Sequence, residues 1–291
     1  MAALEDNDRG AGSATVTRFA PSPTGHLHLG HAYAALFAEA AARAVGGRFI
    51  VRMEDIDVGR CRPCFDAAIL DDLSWLDLSW EEPVRRQSEH PDDYAAALDE
   101  MLHLGLLYPC FCTRKDIQAE IAAAGQAPHG PDGPLYPGTC RALAPVERER
   151  NIEEGTSFAL RLDMGKAMAR AGALTWRVLG GAIIEARPQI FGDVVLARKD
   201  IPTSYHLAVT VDDHLQGITL VTRGEDLYQA THVHRLLQAL LGLKTPLYEH
   251  HRLLIGETGQ RLAKRDWGLT LRALRQAGRT PVEVRRMVGY D

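Results

Sequence analysis

Fourteen consecutive residues, RFAPSPTGHLHLGH at positions 18–31, constrain this chain more than any other stretch. A short β-rich run, Thr15 to Ala20, breaks into a Pro-Ser-Pro-Thr-Gly turn. The chain then opens an Ala-rich helix whose first turn is His28-Leu29-Gly30-His31. Prolines remove backbone donors and fix φ, so the turn is stiff. Gly25 and Gly30 let the backbone approach a ligand closely. The unpaired N–H groups of a helix N-terminus bind anions, and two imidazoles beside them suit phosphate oxygens. His28, Gly30 and His31 therefore read as an ATP site. It is not a P-loop, because the chain has neither G-x-x-x-x-G-K-[ST] nor G-x-G-x-x-G.

The surrounding pattern is α/β. A strand over Thr15–Ala20, a helix over Gly30–Val45 and a strand over Arg48–Met53 predict a right-handed βαβ unit, with Gly46-Gly47 closing the helix. Phe65, Ile69, Leu73 and Leu76 follow helical spacing, as do Tyr94, Leu98 and Leu102, with Pro91 fitting the first turn of the second helix. From Leu107 to about Gln189 the pattern is irregular, and Gly and Pro crowd residues 125–138, as in an insert. The core pattern resumes at Tyr205–Val211 and Gly217–Thr222, the latter a strand, and Glu225–Leu241 reads as a helix closed by Gly242. This order predicts a parallel sheet with its nucleotide site at the carboxyl ends of the strands. The expected divisions are a disordered leader (1–14), a first half of the catalytic domain (15–106) and an insert (107–189). A second half (190–260) and a basic helical end (261–291) follow.

With 46% hydrophobic and 24% charged residues, the chain has the composition of a globular protein with a sizeable core. Its start is polar and small, without the basic and apolar regions of a signal peptide, and no run reaches membrane-spanning length. A cytoplasmic location is expected, with the five cysteines reduced or metal-bound. Net charge is −5, but residues 261–291 hold eight basic side chains against three acidic ones. A basic end on an acidic body is either an RNA footprint or a solvated helix face.

Arg18 lies where the first strand enters its turn, and Glu54 ends the second strand in RMEDID. Adjacent strands thus deliver a cation and an anion to one crevice, which suits the carboxylate and ammonium groups of a free amino acid. The alternative is that the two simply pair with each other. Cys110-Phe-Cys112, with Cys140 beyond a Gly/Pro-rich loop, forms a candidate zinc set, against the alternative of three small buried side chains. Ligand chemistry alone nominates His129 or Asp132 as the fourth donor. Cys61-x-x-Cys64 lacks a second pair and is incomplete for zinc. His232 and His234 read as solvent-facing, His250-His251 as an exposed pair, with approach to the ATP site as the alternative, and Trp75 and Trp80 as core.

RFAPSPTGHLHLGH resembles the ATP-binding signature of class I glutamyl-type tRNA synthetases. At 291 residues the chain suits a catalytic core plus insert, and it resembles the glutamyl-queuosine tRNA(Asp) synthetase family from about Thr15 to Tyr290. The resemblance implies a class I Rossmann-like parallel sheet with an inserted zinc-containing subdomain. It implies glutamate binding at Arg18, Phe19, Ala20, Pro21, Ser22, Glu54, Tyr205 and Arg223, and catalysis at His28 and His31. Gly259-Gln-Arg-Leu-Ala-Lys-Arg265 resembles the second class I signature, which makes Lys264 its functional lysine, also binding ATP. Arg261 stands where that signature has its first lysine, and Ala263 where it has serine. Tyr136 is implied as the fourth ligand beside Cys110, Cys112 and Cys140.

The implied reaction activates L-glutamate with ATP, used with Mg2+, and passes the glutamyl group to queuosine at the wobble position of tRNA(Asp). One structural Zn2+, a monomer and no membrane partner are expected. The alternative is a minimal glutamyl-tRNA synthetase charging the tRNA 3′ end, against which stand the 27 residues after Lys264. A small-molecule adenylyltransferase shares H-x-G-H but not the glutamate set. A tRNA-binding paralog without chemistry would not need His28, His31 and Lys264.

Overall fold

The computed structural model describes residues 14–123, 129–254 and 270–290. Strand β1 (Val16–Phe19), helix α1 (Leu29–Arg43) and strand β2 (Arg48–Met53) form the first unit. β1 and β2 are parallel, in register from Val16 opposite Arg48 to Phe19 opposite Val51. Helix α1 buries Leu29, Ala32, Ala35 and Leu36 against the sheet. Gly46 turns the chain back at φ +65°, and a Cβ on Gly47 would lie 2.3 Å from the Thr15 carbonyl oxygen. Only glycine lets the two strands start this close.

Helix α2 (Pro63–Trp75) leads to β3 (Glu81–Arg86), which pairs parallel to β2. Helix α3 (Pro91–His103) starts with proline at a position that needs no intrahelical donor. The chain then leaves the parallel sheet through β4 (Leu107–Cys110), α4 (Arg114–Ala123), β5 (His129–Gly130) and β6 (Gly133–Pro134). Next come α5 (Pro145–Glu153), β7 (Ala159–Leu162), α6 (Met164–Ala171), β8 (Thr175–Arg177), β9 (Ile183–Glu185) and β10 (Val195–Ala197). β4 and β10 flank β7 antiparallel, so this sheet closes with a strand beyond residue 189.

Helix α7 (Tyr205–Leu215), β11 (Leu220–Gly224), α8 (Ala230–Leu240) and β12 (Leu247–His251) return to the parallel layer. The apolar segment from Tyr205 is helical because the Ser204 hydroxyl caps it, accepting from the Leu207 N–H. A single tight turn, Glu225–Leu227, precedes α8 where one continuous helix was expected. The Val16 carbonyl accepts from the Thr219 N–H and the Thr219 hydroxyl accepts from the Val16 N–H, which seats β1 beside β11.

Helices α9 (Leu271–Gln276) and α10 (Pro281–Met287) follow. They bury Leu271, Leu274, Val284 and Val288 in the core around α1 and α2, at about 1.5–3 kcal/mol for each large apolar side chain. A second core joins α3, α6, α7 and α8. Trp75 and Trp80 are half-buried against the first core, whereas Trp176 is fully buried. Arg275 pairs with Asp71 at 2.7 Å and Arg285 donates to the Leu76 carbonyl at 3.0 Å, so part of the basic end is bonded to α2 and its C-terminus. Among the described residues, no helix is long and apolar enough to cross a membrane.

Candidate active site

Strands β1, β2, β11 and β12 end at one cavity of about 680 Å³. Arg18, Phe19, Ala20, Pro21, Ser22, His28, Gly30, His31, Glu54, Tyr205 and Arg223 all line it. Lys264, with Arg261 and Ala263, lies outside the described residues.

His28 is the N-cap of α1. Its Nδ1 accepts from the Gly30 N–H at 3.1 Å, and its own backbone N–H donates to His31 Nδ1 at 3.2 Å. Each imidazole therefore accepts at Nδ1, which leaves the proton of the neutral ring on Nε2 as a donor. The rings lie face to face at a 30° tilt, with centroids 3.8 Å apart. A Cβ on Gly30 would meet His28 Cε1 at 3.0 Å, so glycine at this position gives the ring its room. Two imidazole donors at a helix N-terminus have the chemistry that suits phosphate oxygens.

Arg18 does not pair with Glu54. Its Nε donates to Asp213 Oδ1 at 3.0 Å, its Nη2 reaches Asp213 Oδ2 at 3.4 Å, and its Nη1 donates to the Thr222 carbonyl at 2.9 Å. Arg52, fully buried within β2, donates to Asp213 Oδ1 at 2.9 Å and to Glu54 Oε1 at 3.3 Å. Burial would raise the Asp213 carboxyl, but Arg18 and Arg52 outweigh it and hold it below its usual value. Burial also acts on Glu54 and prevails there, leaving it raised despite Arg52 and Arg18. The two arginines form one network with Asp213, Glu54 and Asp212, whose carboxylate lies 3.7 Å from Arg52 Nε, and Arg18 and Glu54 of this network face the cavity. Arg52 and Asp213 were not foreseen, although an arginine inside the apolar run RFIVRM was a signal.

Arg223 is the opposite case. Its Nε lies 3.3 Å from His250 Nε2, its Nη1 3.0 Å from His234 Nδ1, and its Nη2 donates to the Thr231 hydroxyl at 2.6 Å. Among the described residues no carboxylate pairs with it. The sequence expectation for the histidines fails here: His232, His234 and His251 are buried, and His251 lines the cavity. α8 is buried on most of its circumference, so its histidines have no solvent face. Burial and the nearby Arg223 push His250 down to about 3 and His234 well below the usual imidazole value. Both are neutral acceptors for the guanidinium.

The thiols of Cys110, Cys112 and Cys140 lie within 4.8 Å of one another. The Tyr136 hydroxyl is 3.5 Å from Cys112 Sγ and accepts from the Cys140 N–H at 2.8 Å. Three thiols and a phenol converging on one point match the donor number of a four-coordinate metal site. Asp132 is elsewhere, its carboxylate 3.8 Å from His206 Nε2, because the β5–β6 hairpin carries it towards α7. The His129 side chain lies outside the described residues. Cys64 is exposed at the start of α2, while Cys61 lines the main cavity.

A parallel sheet whose strand ends meet a helix capped by His-x-Gly-His is the catalytic layout of a class I aminoacyl-tRNA synthetase. A family model described as tRNA synthetases class I (E and Q), catalytic domain, matches residues 14–289. The glutamyl-Q tRNA(Asp) synthetase of Rhodobacter capsulatus is 48% identical over 279 residues, covering 94% of this chain and 99% of that protein. The glutamate–tRNA ligase of Aquifex aeolicus is 37% identical, the match covering 91% of this chain and 54% of the ligase. Among solved structures, a glutamate tRNA ligase from Elizabethkingia meningosepticum in complex with its amino acid is similar. It superposes with a TM-score of 0.72 at 29% identity, covering 87% of this chain and 52% of that one. The chain belongs to the glutamyl-Q tRNA(Asp) synthetase family of class I enzymes.

Proposed function

We infer that this protein activates L-glutamate with ATP and transfers the glutamyl group to queuosine at the wobble position of tRNA(Asp). The observation that carries the glutamate half is Arg223, a buried guanidinium beside the cavity held among the described residues by uncharged partners. A buried cation of this kind is completed by an anionic ligand. Glu54, across the same cavity, suits the substrate ammonium, and Arg18, Ala20, Ser22 and Tyr205 complete the pocket. The acceptor half is favoured by relatives of the glutamyl-Q type that match over 80–99% of their length, against about half for a glutamate–tRNA ligase.

In the first step, the α-carboxylate oxygen attacks the α-phosphorus of ATP, and pyrophosphate leaves. His28 and His31 donate from Nε2 to phosphate oxygens. Lys264 neutralises charge on the departing pyrophosphate, and Lys264→Ala should slow exchange about a hundredfold, or roughly 3 kcal/mol. In the second step, a queuosine hydroxyl attacks the adenylate carbonyl and AMP leaves. Zinc would be held by Cys110, Cys112, Tyr136 and Cys140 and would cross-link the end of β4 to the turn before α5.

The test is transfer of radiolabelled glutamate to unfractionated tRNA, followed by digestion to nucleosides. Label should appear on queuosine, survive removal of the 3′ CCA end, and vanish when guanosine replaces queuosine. Label on the terminal adenosine would make the chain a glutamyl-tRNA synthetase instead.

A further inference from the structure

Arg223 is the near end of a longer chain of contacts. Arginine has only donors, so His234 Nδ1, 3.0 Å from Arg223 Nη1, is the accepting nitrogen. The proton of neutral His234 then sits on Nε2, which faces His206 Nδ1 at 3.1 Å. That nitrogen must accept in turn, which places the His206 proton on Nε2, 3.8 Å from the Asp132 carboxylate. Each link fixes the tautomer of the next. The line runs from the end of β11 through α8 and α7 to the β5–β6 hairpin, which also leads into the Tyr136–Cys140 loop. His234 is buried and His206 nearly so, with Phe191 and Tyr205 set edgewise or tilted against the rings.

We propose that His234 and His206 are positioning residues that hold the Arg223 guanidinium, uncompensated, towards the amino-acid carboxylate. The arrangement orients Arg223 through neutral acceptors, leaving its positive charge for the substrate. The proposal rests on the reading of Arg223 as a glutamate-binding group.

Glutamate-dependent pyrophosphate exchange, with KM for glutamate and for ATP measured separately, provides the main test. His234→Asp sets a carboxylate against Arg223 and should raise the glutamate KM about tenfold or more while leaving the ATP KM within about twofold. His234→Gln keeps a neutral acceptor and should recover most of the lost affinity. His206→Phe keeps the volume but removes the outer acceptor, and should raise the glutamate KM by a few-fold at unchanged kcat. Ring 15N spectra of the full-length protein report the tautomers directly. Wild type should show His234 protonated at Nε2, and His206→Phe should show a mixture.

A wild-type glutamate KM in His234→Asp, or a His234 proton on Nδ1, overturns the proposal even if the glutamine variant fails to fold. Arg223→Ala separates the two layers of inference. If it shifts the glutamate KM alone while His234→Asp does not, only the relay is wrong. If it shifts glutamate and ATP constants together, the glutamate reading falls and the relay falls with it.

Discussion

Arg18 and Arg223 reach the same cavity from neighbouring strands with opposite escorts. Arg18 is gripped by the Asp213 carboxylate, whereas Arg223 is held, among the described residues, only by imidazoles and a hydroxyl. Arg18 is thus compensated within the protein itself. Arg223 retains a net charge at a site that burial makes electrostatically strong.

Arg223→Ala should therefore damage glutamate binding selectively. Removing one side of a buried charge pair costs about 2–5 kcal/mol, so the glutamate KM should rise by more than tenfold with little change for ATP. Pyrophosphate-exchange kinetics at varied glutamate and varied ATP measure both. Equal shifts in the two constants would make the arginine structural.

Asp213 gives a stability prediction. Its carboxylate is shared by two buried arginines, Arg18 and Arg52. Asp213→Asn removes the charge but keeps the shape, leaving Glu54 and Asp212 as the nearby anions for Arg52. The expected loss is about 3–5 kcal/mol in urea unfolding, since an uncompensated buried charge remains. A loss below about 1 kcal/mol would mean that Asp212 and Glu54 already compensate both arginines.

Five of the cavity-lining residues, Arg18, His28, Gly30, His31 and Glu54, were legible because they sit in short local patterns, whereas Tyr205 came from the resemblance alone. Arg18 and Glu54 end adjacent strands, and His28, Gly30 and His31 share one helical turn, so sequence proximity nearly equals spatial proximity. The partners of those residues were not legible. Asp213 is 195 positions from Arg18, and nothing local in a buried Asp-Asp pair on α7 says which arginine it meets. The histidines failed for another reason. Periodicity counts His as polar and places it in solvent, but His234 is an acceptor for a cation 11 residues away, which only the packing of α8 against β11 reveals.

The cysteines give a prediction that separates two clusters. Cys110, Cys112 and Cys140 converge with Tyr136, while Cys61 and Cys64 lie at the start of α2, Cys64 exposed. Elemental analysis of purified protein should find one zinc, lost in Cys110→Ser/Cys112→Ser and kept in Cys61→Ser/Cys64→Ser. Because metal binding is folding free energy, a chelator should also lower the Tm of the wild type and of Cys61→Ser/Cys64→Ser, but not of the metal-free variant. The reverse pattern would place the metal at the α2 cluster.

The pH dependence of stability follows from the neutral histidines. His250 is pushed down to about 3 by burial first and by Arg223 next, and His234 is well below its usual value for the same reasons. In the unfolded chain both titrate near 6.5. Above about pH 6.5 neither state binds these protons, and the histidines contribute their full stability. Between about pH 6.5 and 3 the unfolded chain takes up protons that the native chain refuses, so stability falls as pH falls, by at most about 1.4 kcal/mol per pH unit for each histidine. Asp72, raised to about 6 by burial and then by Asp71, opposes this at the lower end: its stabilisation is largest at acid pH and is lost as pH rises towards 6. The two effects are separable by substitution. His250→Asn keeps a neutral side chain at the Arg223 contact, so its unfolding free energy should vary less steeply than wild type between pH 6.5 and 4.5. Identical slopes in wild type and His250→Asn would show that His250 protonates freely in the folded protein and that Arg223 does not hold it neutral.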